Sequence, residues 1–131
     1  MEKKAKMLII DDSIETVAGL SYFFSRKYEV STAMDGVAGL ELFKAEEDGF
    51  DIVITDIVMP YISGVGVVAI IKKKCPDIPV IAITGWGEHP GALASEAEAD
   101  VVRDKPFELP DLDRQVTELL SRNLVVQPCA K

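Results

Sequence analysis

The chain has 131 residues, 48% of them hydrophobic, and a formal net charge of −8, which suits one compact domain with a sizeable core and leaves no room for a second. The acidic balance offers no basic stripe for phosphate-backbone contacts, so direct nucleic-acid binding is not expected. The basic start, residues 1–6, is followed by an apolar run too short for a signal h-region, and no stretch approaches the roughly 20 apolar residues of a membrane span; a cytoplasmic protein without membrane insertion is the expectation.

In chain order, residues 6–10 read as a buried strand. A helix is predicted over 13–26, with Ile14, Val17, Leu20, Phe23 and Phe24 at helical spacing. A strand follows at 28–33, then a helix over 36–47 with Val37, Leu40, Leu42 and Phe43 largely on one face, stopped by Asp48-Gly49. The next strand covers 51–55. After Met59-Pro60 and a turn at Ser63-Gly64, the apolar stretch from Val65 to Ile71 runs into Lys72-Lys73-Lys74, which suits the carboxyl end of a helix. A fourth strand is predicted at 78–83. Three glycines and a proline make 85–91 a loop, followed by a short helix at about 92–97 and a strand at 100–103. Leu109, Leu112, Val116, Leu119 and Leu120 define an amphipathic closing helix at about 108–122. Residues 1–122 thus form the domain, and 123–131 read as a tail.

Strands alternating with helices, the central strands apolar on both faces, predict an α/β fold: a doubly wound parallel sheet covered by helices on each side. Such sheets place ligands at the carboxyl edge of their strands. Four apolar runs here end in reactive polar groups: Asp11-Asp12, Asp56, Thr84 and Lys105.

Each has an ordinary explanation. Asp12 as N-cap with Glu15 would make a capping box, Asp56 suits a turn before Pro60, Thr84 is a common strand residue and Lys105 could lie at a surface turn. Taken together they imply more. Three carboxylates at one edge repel, and a hard divalent cation such as Mg²⁺ would offset that. Asp56 could then attack phosphorus to give an acyl phosphate, while the Thr84 hydroxyl and Lys105 ammonium bind phosphoryl oxygens.

Three other features carry less. Gly64-Val65-Gly66-Val67-Val68-Ala69 matches a dinucleotide fingerprint but follows the third strand indirectly, so a turn into a closely packed helix explains it better. His89, the single histidine, has no neighbouring ligand types and reads as a loop residue. Cys75 and Cys129 lack metal-ligand spacing and read as free thiols, whereas Trp86 could be a lid or partner contact.

In their order, Ile9-Ile10-Asp11-Asp12-Ser13, Ile54-Thr55-Asp56-Ile57-Val58-Met59-Pro60, Ile83-Thr84-Gly85 and Asp104-Lys105-Pro106-Phe107 resemble the receiver domains of two-component response regulators, over residues 5–122. The resemblance implies a flavodoxin-like sheet of five strands in the order 2-1-3-4-5. It implies that Asp56 takes a phosphoryl group from the phosphohistidine of a sensor histidine kinase or from a phosphotransfer protein. Mg²⁺ would be held by Asp11, Asp12, Asp56 and the backbone carbonyl of Val58, with Thr84 and Lys105 on the phosphoryl group and a Lys105-Pro106 bond that is often cis. The expected function is a stand-alone phosphoacceptor that signals to a downstream protein by conformational change, assisting its own phosphorylation and dephosphorylation without being a conventional turnover enzyme. The alternative is a receiver-like interaction module independent of phosphorylation. An aspartyl phosphohydrolase would want a second Asp where Val58 stands.

The chain departs from the family in two places, and a further pair of residues bears on the lifetime of the acyl phosphate. Val102 occupies a position, three before the lysine, where a switch aromatic is frequent. Pro90-Gly91 and Glu98 are unusual in the fourth-helix region. Val58 and Trp86, two residues beyond Asp56 and Thr84, would flank the path of water to the acyl phosphate and orient it poorly, which predicts slow self-dephosphorylation.

Overall fold

The structure, a computed structural model, describes residues 4–47, 49–57, 63–84, 99–105 and 107–122. The strands are β1 (Lys6–Ile10), β2 (Glu29–Ala33), β3 (Ile52–Asp56), β4 (Val80–Thr84) and β5 (Val101–Asp104); the helices are α1 (Ile14–Phe24), α2 (Gly36–Ala45), α3 (Gly64–Lys74) and α4 (Leu109–Arg122). All strand pairings are parallel, in the order β2-β1-β3-β4-β5. This is the doubly wound, flavodoxin-like topology that the alternation predicts.

Because successive strand residues face opposite sides, β1 feeds two cores. Leu8 and Ile10 join Leu40, Phe43, Val67, Val68 and Ile71 on the α2 and α3 side. Met7 and Ile9 join Leu20, Phe24, Leu112, Val116 and Leu119 on the α1 and α4 side. A sheet covered on both faces needs strands apolar on both faces, and β3 and β4 are fully buried.

Helix ends explain most of the displaced boundaries. Ser13 caps α1 by accepting from the Thr16 N–H, so the helix begins at Ile14. Ile14 is 75% exposed and plays no part in the apolar stripe assigned to it, whereas Val17, Leu20 and Phe24 are buried. Val37 and Leu42 likewise face outward from α2, leaving Leu40 and Phe43 to pack. Gly49 adopts φ 78°, a conformation that glycine reaches without steric cost, after α2 has ended at Ala45.

At the amino ends of the strands two aspartates stitch neighbours together. Asp51 accepts the backbone N–H of Lys6 at 2.7 Å, and Asp100 accepts that of Val80 at 2.8 Å. Lys72 reaches from α3 to the Asp100 carboxylate at 2.6 Å and to the Ile78 carbonyl at 2.7 Å. The predicted helix at 92–97, the tail at 123–131, Val58, Trp86, His89 and Pro106 lie outside the described residues. Cys75, expected as a free thiol, is instead disulfide-bonded and buried at the α3 C-cap. Such a bond depends on spatial proximity of the two Cα atoms, which sequence spacing does not reveal.

Candidate functional site

Strand polarity brings the carboxyl ends of β1, β3, β4 and β5 to one edge, and with them Asp11, Asp12, Asp56, Thr84 and Lys105. Carboxylate oxygens of Asp11, Asp12 and Asp56 all lie within 4.8 Å of one another. Asp11 and Asp56 are buried, at 1% and 4% exposure, and Asp12 is exposed. Lys105 points its Nζ at this cluster, 3.0 Å from Asp11 Oδ2 and 4.0 Å from Asp56 Oδ2.

The ordinary explanation for Asp12 fails on inspection. Ser13 performs the capping, and Asp11 Oδ1 accepts the Ser13 N–H at 2.8 Å. That arrangement frees Asp12 from holding the helix and aims both acids at the pocket. Asp56, expected on one account to be a turn residue, is the last residue of β3. The backbone next to it is fixed by the Ile57 N–H donating to Ile83 and by the Gly64 N–H donating to Ile57, at 2.9 and 2.7 Å. Gly64 explains half of the apparent dinucleotide motif. A Cβ there would overlap the Asp56 carbonyl oxygen and Ile57 Cα, so only glycine lets α3 start against the end of β3.

Three carboxylates against one ammonium leave surplus negative charge in a largely buried space, and the donors are all hard oxygens. A divalent cation of the Mg²⁺ class fits that donor set, with Asp11, Asp12 and Asp56 as the residues that would hold it. The carbonyl of Val58 lies outside the described residues and adds nothing to this test.

Thr84 is 1% exposed at the end of β4. Its hydroxyl donates to Asp104 Oδ1 at 2.6 Å, and its carbonyl accepts the Lys105 N–H at 2.8 Å. The Asp104 contact is the feature that reading the sequence missed. Asp104 lies inside a segment of recognised interest, but only the β4–β5 register, with Thr84 opposite Asp104, shows that the two side chains meet. Val102, two residues earlier on the same face of β5, is 37% exposed. A cleft of about 410 Å³ opens beside the acidic cluster between α1 and the start of α4, lined in part by Glu15, Thr16, Leu20, Lys105 and Phe107.

Among the described residues no helix is long and apolar enough to cross a membrane. The family model for the response regulator receiver domain matches residues 7–117. The chain is 35% identical, over 91% of its own length and 49% of the other, to a probable transcriptional regulator ycf27 of Cyanophora paradoxa. It is 32% identical to a receiver domain protein from Clostridium thermocellum, covering 91% of this chain and 96% of that one at a TM-score of 0.83. It is 33% identical to the response regulator protein TrrA of Thermotoga maritima in complex with Mg²⁺-BeF, covering 88% and 98% at a TM-score of 0.77. The chain spans about half the length, or less, of the curated relatives it matches. Five parallel strands in the order 2-1-3-4-5, acids gathered at their carboxyl edge and a family match across most of the sequence lead to one assignment: this chain belongs to the receiver domain family of two-component response regulators.

Proposed function

We propose that the chain accepts a phosphoryl group on Asp56 from the phosphohistidine of a sensor histidine kinase or phosphotransfer protein, in a reaction that requires Mg²⁺, and passes the signal on by conformational change. The observation that carries this reading is the convergence of Asp11, Asp12 and Asp56 within 4.8 Å beside the Lys105 ammonium. An Asp56 carboxylate oxygen attacks phosphorus, an O–P bond forms, and the N–P bond breaks with its electron pair returning to the donor imidazole. Asp11, Asp12 and Asp56 would hold the cation, which when bound neutralises charge on the phosphoryl oxygens.

The protein groups have distinct tasks. Lys105, already at the cluster, supplies positive charge to an incoming phosphoryl oxygen. Thr84, buried at the adjacent strand end, supplies one hydroxyl donor. Burial of Asp56 limits competing water, while the fixed backbone around Ile57 holds the nucleophile in place. The chain acts as a phosphoacceptor that assists its own chemistry, not as a turnover enzyme.

The test is incubation with a small acyl phosphate and Mg²⁺, followed by intact-mass measurement of wild type and Asp56→Asn. A single phosphoryl adduct is expected on wild type, absent from Asp56→Asn and suppressed by a chelator. A wild type that never gains mass would favour an interaction module independent of phosphorylation.

A further inference from the structure

We infer that Asp104 is a positioning residue that competes with the phosphoryl group for the Thr84 hydroxyl, and so sets how readily the phosphorylated state forms. The inference rests on the phosphoacceptor reading of Asp56.

A threonine hydroxyl has one proton to donate. In the structure that proton goes to Asp104 Oδ1 at 2.6 Å, within the range of a charge-assisted O–H···O⁻ bond. The bond is built into the sheet. Thr84 and Asp104 are register partners on β4 and β5, so their side chains leave the sheet on the same face. The backbone beside them is tied by the Lys105 N–H donating to the Thr84 carbonyl at 2.8 Å. Thr84 is buried, so its hydroxyl gains little from water as an alternative partner.

A phosphoryl group on Asp56 therefore cannot add the Thr84 bond for nothing. It must replace one anionic acceptor by another, and the net gain is the difference between two strong bonds. Lys105 follows Asp104 directly in the chain and lies at the acid cluster, so the acceptor that holds Thr84 back and the cation that meets the phosphoryl group are neighbours on one strand end. With Val102 in place of an aromatic on the same face, exchange of the Thr84 proton between Asp104 and the phosphoryl group is the switching event this geometry supplies.

The test uses beryllium fluoride with Mg²⁺, which caps an aspartate carboxylate as a phosphoryl mimic, and follows the adduct by ¹⁹F NMR. Asp104→Asn keeps a neutral, weaker acceptor and should raise apparent affinity about fivefold; Asp104→Ala removes the acceptor and should raise it about tenfold. Asp104 is exposed, and matched melting curves would show that both variants fold. In a Thr84→Ala background both gains should fall below about twofold, because no hydroxyl remains to be released. A gain that persists in that background would mean that Asp104 acts only through its charge and would overturn the inference. So would unchanged affinity in both single variants. Failure of wild type and every variant to form an adduct would instead remove the phosphoacceptor reading itself. As an independent readout, the Thr84 hydroxyl proton should be protected from exchange in the free wild type and lose protection in Asp104→Ala. Its absence from the wild-type spectrum would contradict the bond.

Discussion

Buried carboxylates need donors, and Asp11 has two, the Ser13 N–H at 2.8 Å and the Lys105 ammonium at 3.0 Å. Asp12 is different: it is exposed, caps nothing, and adds a third negative charge to the cluster. Its repulsion of the other two acids costs stability on the order of 1 kcal/mol. Asp12→Asn should therefore raise the melting temperature in chelator by about 3 °C, and abolish most of the further rise that Mg²⁺ gives wild type. A melting temperature that falls in chelator would contradict this account. The five polar positions themselves were legible as strand ends. Their division of labour was not, because Ser13 rather than Asp12 caps α1 and because Thr84 meets Asp104, contacts fixed by side-chain direction rather than by residue type. Slow self-dephosphorylation remains the prediction at Val58 and Trp86: decay of phosphorylated protein should accelerate in Val58→Asn, and equal, fast decay in wild type, Val58→Asn and Trp86→Ala would contradict it.

Elements show the same division between what periodicity reveals and what it hides. The hydrophobic pattern located the four described helices, because a buried stripe must recur every three or four residues whatever its neighbours are. It placed Ile14, Val37 and Leu42 on the packed faces of α1 and α2 although all three face outward, since an apolar residue on a surface costs little. The start of α3 was marked by Gly64 for a reason that only packing discloses. Gly64→Ala would push the helix off the end of β3; a loss of about 2 kcal/mol is expected in denaturant unfolding, together with phosphorylation slowed at least about tenfold as the Asp56 backbone shifts. Normal phosphorylation in a folded Gly64→Ala protein would show that the strand end tolerates movement. Ser13→Ala tests the other helix that begins at the site. Loss of its cap should cost about 1 kcal/mol, a penalty that Asp12→Asn does not share.

On the scale of the molecule, the turn that follows α1 is joined to α4 across the surface by Lys27, whose Nζ lies 2.9 Å from both oxygens of Asp113. The Asp113 hydrogen bond holds the Lys27 ammonium above its ordinary value of 10.5. Stability from this pair is thus fully present below about pH 10.5 and is lost as pH rises through the elevated folded value. Being exposed, the pair is worth only about 0.5 kcal/mol. Lys27→Met should cost that amount at neutral pH, and the gap to wild type should close as the solution is made more alkaline. A gap independent of pH would assign the effect to packing. The topology was readable because parallel strands joined by right-handed crossovers leave few arrangements; the Cys75 disulfide was not, since nothing local encodes it. The stitches at the amino ends of the strands have a mechanical meaning. Asp51 ties β1 to the residues that lead into β3, and Asp100 ties β4 to those that lead into β5. The continuous sheet is therefore pinned twice at its amino edge, once in the half that carries the acids and once in the half that carries Thr84 and Lys105. If Asp56 takes up a phosphoryl group as proposed, the added charge meets a sheet held firm at the opposite edge, and the side chains left to respond are those at its own edge, Thr84, Asp104 and Lys105.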